Sequence, residues 1–351
     1  MFARALKSAR HPILAQIVPI RRCNLSCAYC NEYDKTSEPV PTGLMLERID
    51  RLAALGTGVI DISGGEPLLH PELHVIIRRI RQRGIIAGLL TNGYLLTREW
   101  IERLNRAGLD RLQISIDNVT PNDVSHKSLK VLDRKLQLLA AEAEFTVNIN
   151  TVLGAVVGDP EDALTIARRG LALGFSASVG LIHDGHGQVA ALTDRHRQVY
   201  DEIVGLTRGF YSHGHDQLFQ RNLARGLPNQ WRCRAGARYL YVCEDGLVHW
   251  CSQQRGYPAK PLDEYGRDDL EREFSTTKPC APYCTVSCVH RTALLDRLRE
   301  HPKHTIDALV AAHAEQGGRT PVAVKLLVWS FLTGPHQRVM RRLASWTVVR
   351  H

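Results

Sequence analysis

The sequence predicts an α/β protein built on a parallel sheet, because short apolar segments alternate with amphipathic ones from about residue 13 to about 208, and the alternation then stops. The strand-like segments read ILAQIVP, GVIDIS, IIAGLL, RLQISI, FTVNINTVL and SASVGLI. Each precedes a stretch with helical periodicity: 43–54, 71–83, 96–107, 127–141, 160–173 and 193–208. Strands alternating with helices of this length connect by right-handed crossovers, which lay the helices against a parallel sheet. Six such units form either an open doubly wound sheet or an incomplete barrel, and periodicity does not choose between them. In both architectures ligands collect at the carboxyl ends of the strands, so chemistry-bearing residues are expected just after each one.

A chain of 351 residues buries a full core, so its nine cysteines do not serve to staple a small fold. The opening residues MFARALKSARHP carry Arg4, Lys7 and Arg10 and no apolar run of signal-peptide length. A cytoplasmic, reducing compartment is expected, where clustered thiols bind metal or do redox chemistry more often than they form disulfides. The net charge of +9 is modest, and residues 301–351 hold seven Lys/Arg against Asp307 and Glu315. No aromatic-rich basic motif accompanies that charge, so no nucleic-acid partner is expected. Late in the chain PVAVKLLVWSFLTG is broken by Lys325 and is too short to span a bilayer. With HQRVMRRL behind it, the segment reads as a packing helix, with peripheral membrane contact as the alternative.

After the first strand comes RRCNLSCAYCNEY, which sets Cys23, Cys27 and Cys30 in a C-x3-C-x2-C loop. Three thiolates fall one short of a closed zinc site or an ordinary cubane, which leaves one metal position open unless a distant ligand fills it. SGGEP (Gly64, Gly65, Glu66, Pro67) ends the second strand, where glycines permit close backbone approach and Pro67 stiffens the exit. Thr91 and Asn92 of TNG end the third strand, Ser115 and Asp117 of SID the fourth, and Asn148 and Asn150 share one face of the fifth.

The cysteine loop and SGGEP, at successive strand ends, resemble the radical S-adenosylmethionine enzymes. The resemblance spans about residues 13–290 and implies a partial (β/α)6 TIM-type barrel over 13–214. It implies that Cys23, Cys27 and Cys30 hold a 4Fe-4S cluster, with S-adenosylmethionine chelating the fourth iron. Tyr29 is then expected near the adenine, and Gly64, Gly65, Glu66 and Pro67 at the amino group of the methionine moiety. Thr91, Asn92, Ser115, Asp117 and Asn150 are expected at a ribose or carboxylate. One departure stands out: many relatives follow the aspartate with glycine, whereas this chain has Asn118 and then VTPNDVSHKS, which makes the substrate-facing loop its own.

Beyond residue 215, CEDG between RYLYV and LVHWC predicts a hairpin. Cys233, twelve residues, Gly246, four residues and Cys251 resemble the opening of SPASM and twitch modules, and KPCAPYCTVSCVH follows with Cys280, Cys284 and Cys288. Six cysteines including Cys243 are too few for a full SPASM module, so the resemblance implies a twitch-like module over 215–295 with one auxiliary 4Fe-4S cluster, zinc being the rival ion. Cys243 reads equally as a small buried hydrophobe, and residues 296–351 as a basic, partly apolar helical tail.

The implied activity is reductive cleavage of S-adenosylmethionine to a 5'-deoxyadenosyl radical, with an electron donor such as flavodoxin or ferredoxin. In length and layout the chain resembles the hopene adenosyltransferases, and the basic, apolar tail suits a lipid or small metabolite. A ribosomal-peptide maturase and a sugar dehydrogenase are the alternatives. The 22 residues before Cys23 argue against the peptide reading, since such maturases usually carry a leader-binding domain. A zinc-bound nucleic-acid scaffold is the alternative outside enzymes.

Overall fold

A computed structural model gives the fold and describes residues 8–154, 159–182, 192–206 and 219–314. Six βα units come first: β1 (Leu14–Ile17), α1 (Thr42–Ala54), β2 (Val59–Ile62), α2 (Leu73–Gln82), β3 (Ile86–Thr91), α3 (Arg98–Ala107), β4 (Arg111–Ser115), α4 (Leu129–Glu142), β5 (Thr146–Leu153), α5 (Pro160–Ala172), β6 (Ser176–Leu181) and α6 (Asp194–Leu206). Then follow α7 (Arg221–Ala224), β7 (Tyr239–Val242), β8 (Leu247–His249), β9 (Pro258–Pro261), α8 (Arg267–Ser275), α9 (Ser287–Glu300) and α10 (Pro302–Ala314). Residues 315–351, with the apolar and basic segments expected to form a tail, lie outside the described residues. Among the described residues, no helix is long and apolar enough to cross a membrane.

The helix boundaries follow local chemistry. Thr97 accepts a hydrogen bond from Trp100 N–H at the start of α3, and Gly108, at φ +78°, ends it in the left-handed conformation. Asp159 caps α5, with Pro160 in its first turn. The helix expected from residue 127 starts at 129, because Ser128 is extended and Lys127 is engaged elsewhere.

Strands β1 to β6 pair in parallel and in sequence order, which makes the core a partial TIM-type barrel. Along each strand, residues of one parity face the helices: Ile60, Ile62, Ala87, Leu89, Leu112, Ile114, Val147 and Ile149 pack with Ile49, Leu52, Ile76, Ile101, Leu104 and Leu136. The opposite parity forms the inner face. The hairpin expected at CEDG is β7–β8, but the segment does not stand apart. Strand β7 pairs in parallel with β1, with Leu14 opposite Tyr239, so a single nine-stranded sheet runs β6-β5-β4-β3-β2-β1-β7-β8-β9.

The segment before β1 and helix α9 are also fastened to each other, through a buried ion pair. Arg238, fully buried, donates to Asp296 of α9 at 3.0 Å and to the carbonyl of His11 at 2.6 Å. Removing one member of such a pair strands a charge in the interior. Asp296→Ala is therefore expected to destabilise the protein by about 3–5 kcal/mol, read as a lower midpoint in urea unfolding.

Candidate metal and cofactor site

The first three expected motifs converge at the carboxyl ends of β1, β2 and β3. The chain leaves β1 and runs beside the SGGEP turn, where Gly65 N–H donates to Ile20 O at 3.1 Å and Glu66 N–H to Arg22 O at 3.0 Å. A Cβ on Gly64 would meet Ile20 O at 2.6 Å, and one on Gly65 would overlap the carbonyl oxygens of Arg21 and Arg22. The glycines are thus required by the backbone that launches the cysteine loop.

Glu66 is fully buried, and its carboxylate serves the fold. It accepts from Thr91 Oγ1 at 2.7 Å, Asn92 N–H at 2.9 Å and Leu68 N–H at 3.0 Å, while burial pushes its pKa up. Pro67 opens the short 3-10 turn that Glu66 caps. Asn92 in turn reaches the cysteine loop: its side-chain amide donates to Asn24 Oδ1 at 2.8 Å and approaches Cys23 Sγ at 3.7 Å. Cys23, Cys27 and Cys30 are all free thiols. Burial raises Cys23 and pushes Cys30 to about 11, so the pocket favours neutral sulfur until a cation enters it.

The end of β4 supplies a polar network. Asp117, fully buried, accepts at Oδ2 from Tyr29 OH at 2.5 Å and from Ser125 Oγ at 2.7 Å, and Lys127 Nζ lies 3.1 Å away. Ser115 and Asn150 sit opposite each other on the inner face, both half-buried. Lys127 and Ser125 were not expected from the sequence; the only signal was that VTPNDVSHKS departs from the pattern of relatives.

The inner face divides in two. Over β1 and β2 it is covered: Leu14, Val18 and Val59 pack with Tyr239, Tyr241, Cys233, Cys251 and Val289. Asp61 of β2 and Arg111 of β4 meet across β3, with Arg111 Nη2 2.6 and 2.7 Å from the two carboxylate oxygens. They pass over Gly88, where a Cβ would overlap Asp61 Oδ1. That mid-strand glycine was the one sequence signal for this bridge. Beyond it, β4 to β6 present two rows of half-buried or exposed uncharged polar side chains, Gln113–Asn148–Ser176 and Ser115–Asn150–Ser178. Asn148 donates to Ser178 Oγ at 2.8 Å, and Ser178 to Asn150 Oδ1 at 2.9 Å.

The second thiol set is resolved by its neighbours. Cys233, Cys251, Cys280 and Cys284 lie within electrostatic reach of one another in every pairing, and burial pushes Cys233 to about 11 and Cys251 to about 12. Cys288 packs against the same apolar cluster as Cys233 and Cys251, but the charges acting most strongly on it are those of Asp61, Arg291, Arg111 and Glu32. Pro282 lies within a 3-10 turn (Ala281–Tyr283) flanked by Cys280 and Cys284, and α9 starts only after it, with Cys288 in its first turn. Cys243, Asp245 and His249 bring donor atoms within 4.8 Å of one another. Gly256 N–H donates to His249 Nδ1 at 3.0 Å, which places the neutral ring's proton on Nε2 and leaves no lone pair for a metal.

Comparison with known proteins agrees with this geometry. The profile of the radical SAM superfamily matches residues 17–168. Residues 17–168 thus match a radical SAM domain. An AdoMet-dependent heme synthase of Methanosarcina barkeri is 34% identical over 140 residues, 37% of this chain and 40% of the relative. A PqqA peptide cyclase of Gluconobacter oxydans is 34% identical over 118 residues, 33% of this chain and 32% of the relative. The match thus spans well under half the length of these curated relatives. Among solved structures, Streptococcus suis SuiB superposes with a TM-score of 0.57 at 16% identity, covering 83% of this chain and 75% of its own, and so shares the fold.

Proposed function

We propose that Cys23, Cys27 and Cys30 hold a 4Fe-4S cluster that binds S-adenosylmethionine, and that the chain is an enzyme acting on a polar organic substrate at the inner face of the sheet. When bound there, the pair would supply one-electron reductive cleavage of S-adenosylmethionine and, from it, radical chemistry at a substrate carbon. The observation that carries this reading is the three-thiol loop fastened through Asn92 and Glu66 to the SGGEP turn, a site with one ligand too few to close a cubane. The residues fit the group: all three thiols are free, and glycines line the adjoining backbone. Gly64 and Gly65 would offer backbone to the methionine moiety, since both oxygens of Glu66 are taken by the chain itself. Tyr29, Ser115, Asp117 and Asn150 would border the nucleoside. A reduced flavodoxin or ferredoxin is the electron donor this chemistry asks for.

Cys233, Cys251, Cys280 and Cys284 would hold a second 4Fe-4S cluster, with Cys288 outside it. The test is anaerobic reconstitution with iron counting. About eight irons per chain are expected, with 5'-deoxyadenosine formed on adding dithionite and S-adenosylmethionine. Cys284→Ala should fall to about four, while Cys288→Ala stays near eight. A colourless zinc protein would end the reading, and iron lost equally in both variants would end the four-ligand assignment.

The polar rows on β4–β6 favour a hydrogen-bonding substrate, a small metabolite or a peptide segment, over a lipid. Each polar group left unsatisfied beneath an alkyl chain would cost about 1–3 kcal/mol. The lipid expectation leaned on the tail, which lies outside the described residues. SuiB, which shares the fold, has been solved with its precursor peptide SuiA, and a peptide cyclase is among the sequence relatives; both support the peptide arm.

A further inference from the structure

Two segments that carry the second thiol set also build an outer surface, and its charge is one-sided. Residues 219–243 and 275–295 hold no Asp or Glu, against six arginines and one lysine. The segments lie side by side: Asn229 N–H donates to Pro282 O at 2.8 Å, and Trp231 Nε1 to Ala281 O at 2.7 Å. Asn229 and Ala281 are buried, which fixes the inward side of each segment. Arg225, Leu227, Arg232, Cys280 and Tyr283, all exposed, form the outward side, with Leu227 51% and Tyr283 55% accessible.

The carboxylates at the border of this surface are already engaged, Asp201 by Arg221 at 3.7 Å and Glu273 by Lys278 at 3.5 Å. Arg225 and Arg232 hold no salt bridge among the described residues. Exposed Tyr and Leu side chains beside unpaired arginines have the composition of a protein interface, and the unopposed positive charge selects an acidic partner. Cys280 says which kind. Of the four gathered thiols, Cys233 and Cys251 are buried and Cys284 is half-buried, so Cys280 alone comes to the surface, and it does so inside this patch. Electron transfer falls steeply with distance, so a redox partner seated here is favoured in a way that another acidic protein is not.

We propose that the face formed by Arg225, Leu227, Arg232 and Tyr283 beside Cys280 is the docking surface for an acidic one-electron carrier of the flavodoxin or ferredoxin type. This rests on the reading of Cys233, Cys251, Cys280 and Cys284 as cluster ligands. Such encounters bury less than about 1,200 Å² and are steered by charge, so the complex is expected to be weak and to loosen as salt is added.

The test is fluorescence anisotropy of labelled, oxidised carrier, flavodoxin and a plant-type ferredoxin in turn, titrated with the iron-loaded full-length chain at low ionic strength. Arg225→Glu with Arg232→Glu is expected to raise the dissociation constant at least about tenfold, and the difference should close at high salt. Formation of 5'-deoxyadenosine with dithionite should stay at the wild-type level in that variant, and formation driven by the reduced carrier should fall. Arg78→Glu with Arg106→Glu, on the exposed faces of α2 and α3, makes the same change in net charge and should leave binding near wild type. If the first pair does not hold iron, Arg225→Glu alone decides, with an expected weakening of about threefold. Equal loss in both pairs, binding indifferent to salt, or no binding of either carrier would overturn the proposal. So would binding of a polyglutamate peptide that needs Arg225 and Arg232 when carrier binding does not, which would assign the face to an acidic peptide. A wild-type chain that takes up no iron would instead sink the cluster reading on which the proposal stands.

Discussion

Cys27→Ala is expected to abolish formation of 5'-deoxyadenosine outright and to lower the iron content from about eight to about four per chain. Cys27 is the most buried thiol of its loop, and the residues that follow it are tethered, Ala28 N–H to the carbonyl of Val124 and Cys30 N–H to the carbonyl of Cys27 itself. No other sulfur is placed to replace it, because Cys243 belongs to the β7–β8 hairpin, Cys288 is held in the first turn of α9, and Cys233, Cys280 and Cys284 gather with Cys251. The measurement is paired iron analysis and product chromatography on the reconstituted variant. Retention of half or more of the wild-type product would count against the cluster assignment.

Gly65→Ala carries the second large effect, and it acts on stability before activity. The new methyl group would overlap the carbonyl oxygens of Arg21 and Arg22, which are backbone atoms with no rotamer to adopt. Both sides are hydrogen-bonded in place, Gly65 N–H to Ile20 O and Glu66 N–H to Arg22 O, so neither can retreat without breaking the contact that launches the loop. A cost of about 3 kcal/mol is expected, seen as a lower thermal midpoint, with poor iron uptake in the protein that remains folded. Gly43, whose added Cβ would meet nothing within 4 Å, is the matched control. Gly43→Ala should leave both readouts near wild type.

The six strands and their helices were legible in the sequence because alternation and helical spacing are local properties, and local chemistry sets their ends. Cys23, Gly65, Glu66 and Asn92 were legible as a group for a related reason: ligands gather at strand ends, so motifs at successive ends must meet. What the sequence could not show was who meets whom through space. Glu66 was expected at a ligand, and through space its oxygens also hold Thr91, Asn92 and Leu68. Cys288 keeps the same spacing as Cys280 and Cys284, yet it stands in the first turn of α9, where Asp61 and Arg111 are among the charges acting most strongly on it. Lys127 has no motif at all; its position depends on a loop conformation that only packing against Tyr29 selects.

The pairing of β7 with β1 has a consequence for how this chain is made. Strand β1 leaves the ribosome more than 200 residues before β7, so one flank of β1 waits unpaired while the five intervening strands are made. An open edge of apolar backbone is a template for wrong partners, and a contact between segments so far apart in sequence forms slowly. A nascent chain halted before Tyr239 would therefore expose Leu14–Ile17 to aggregation.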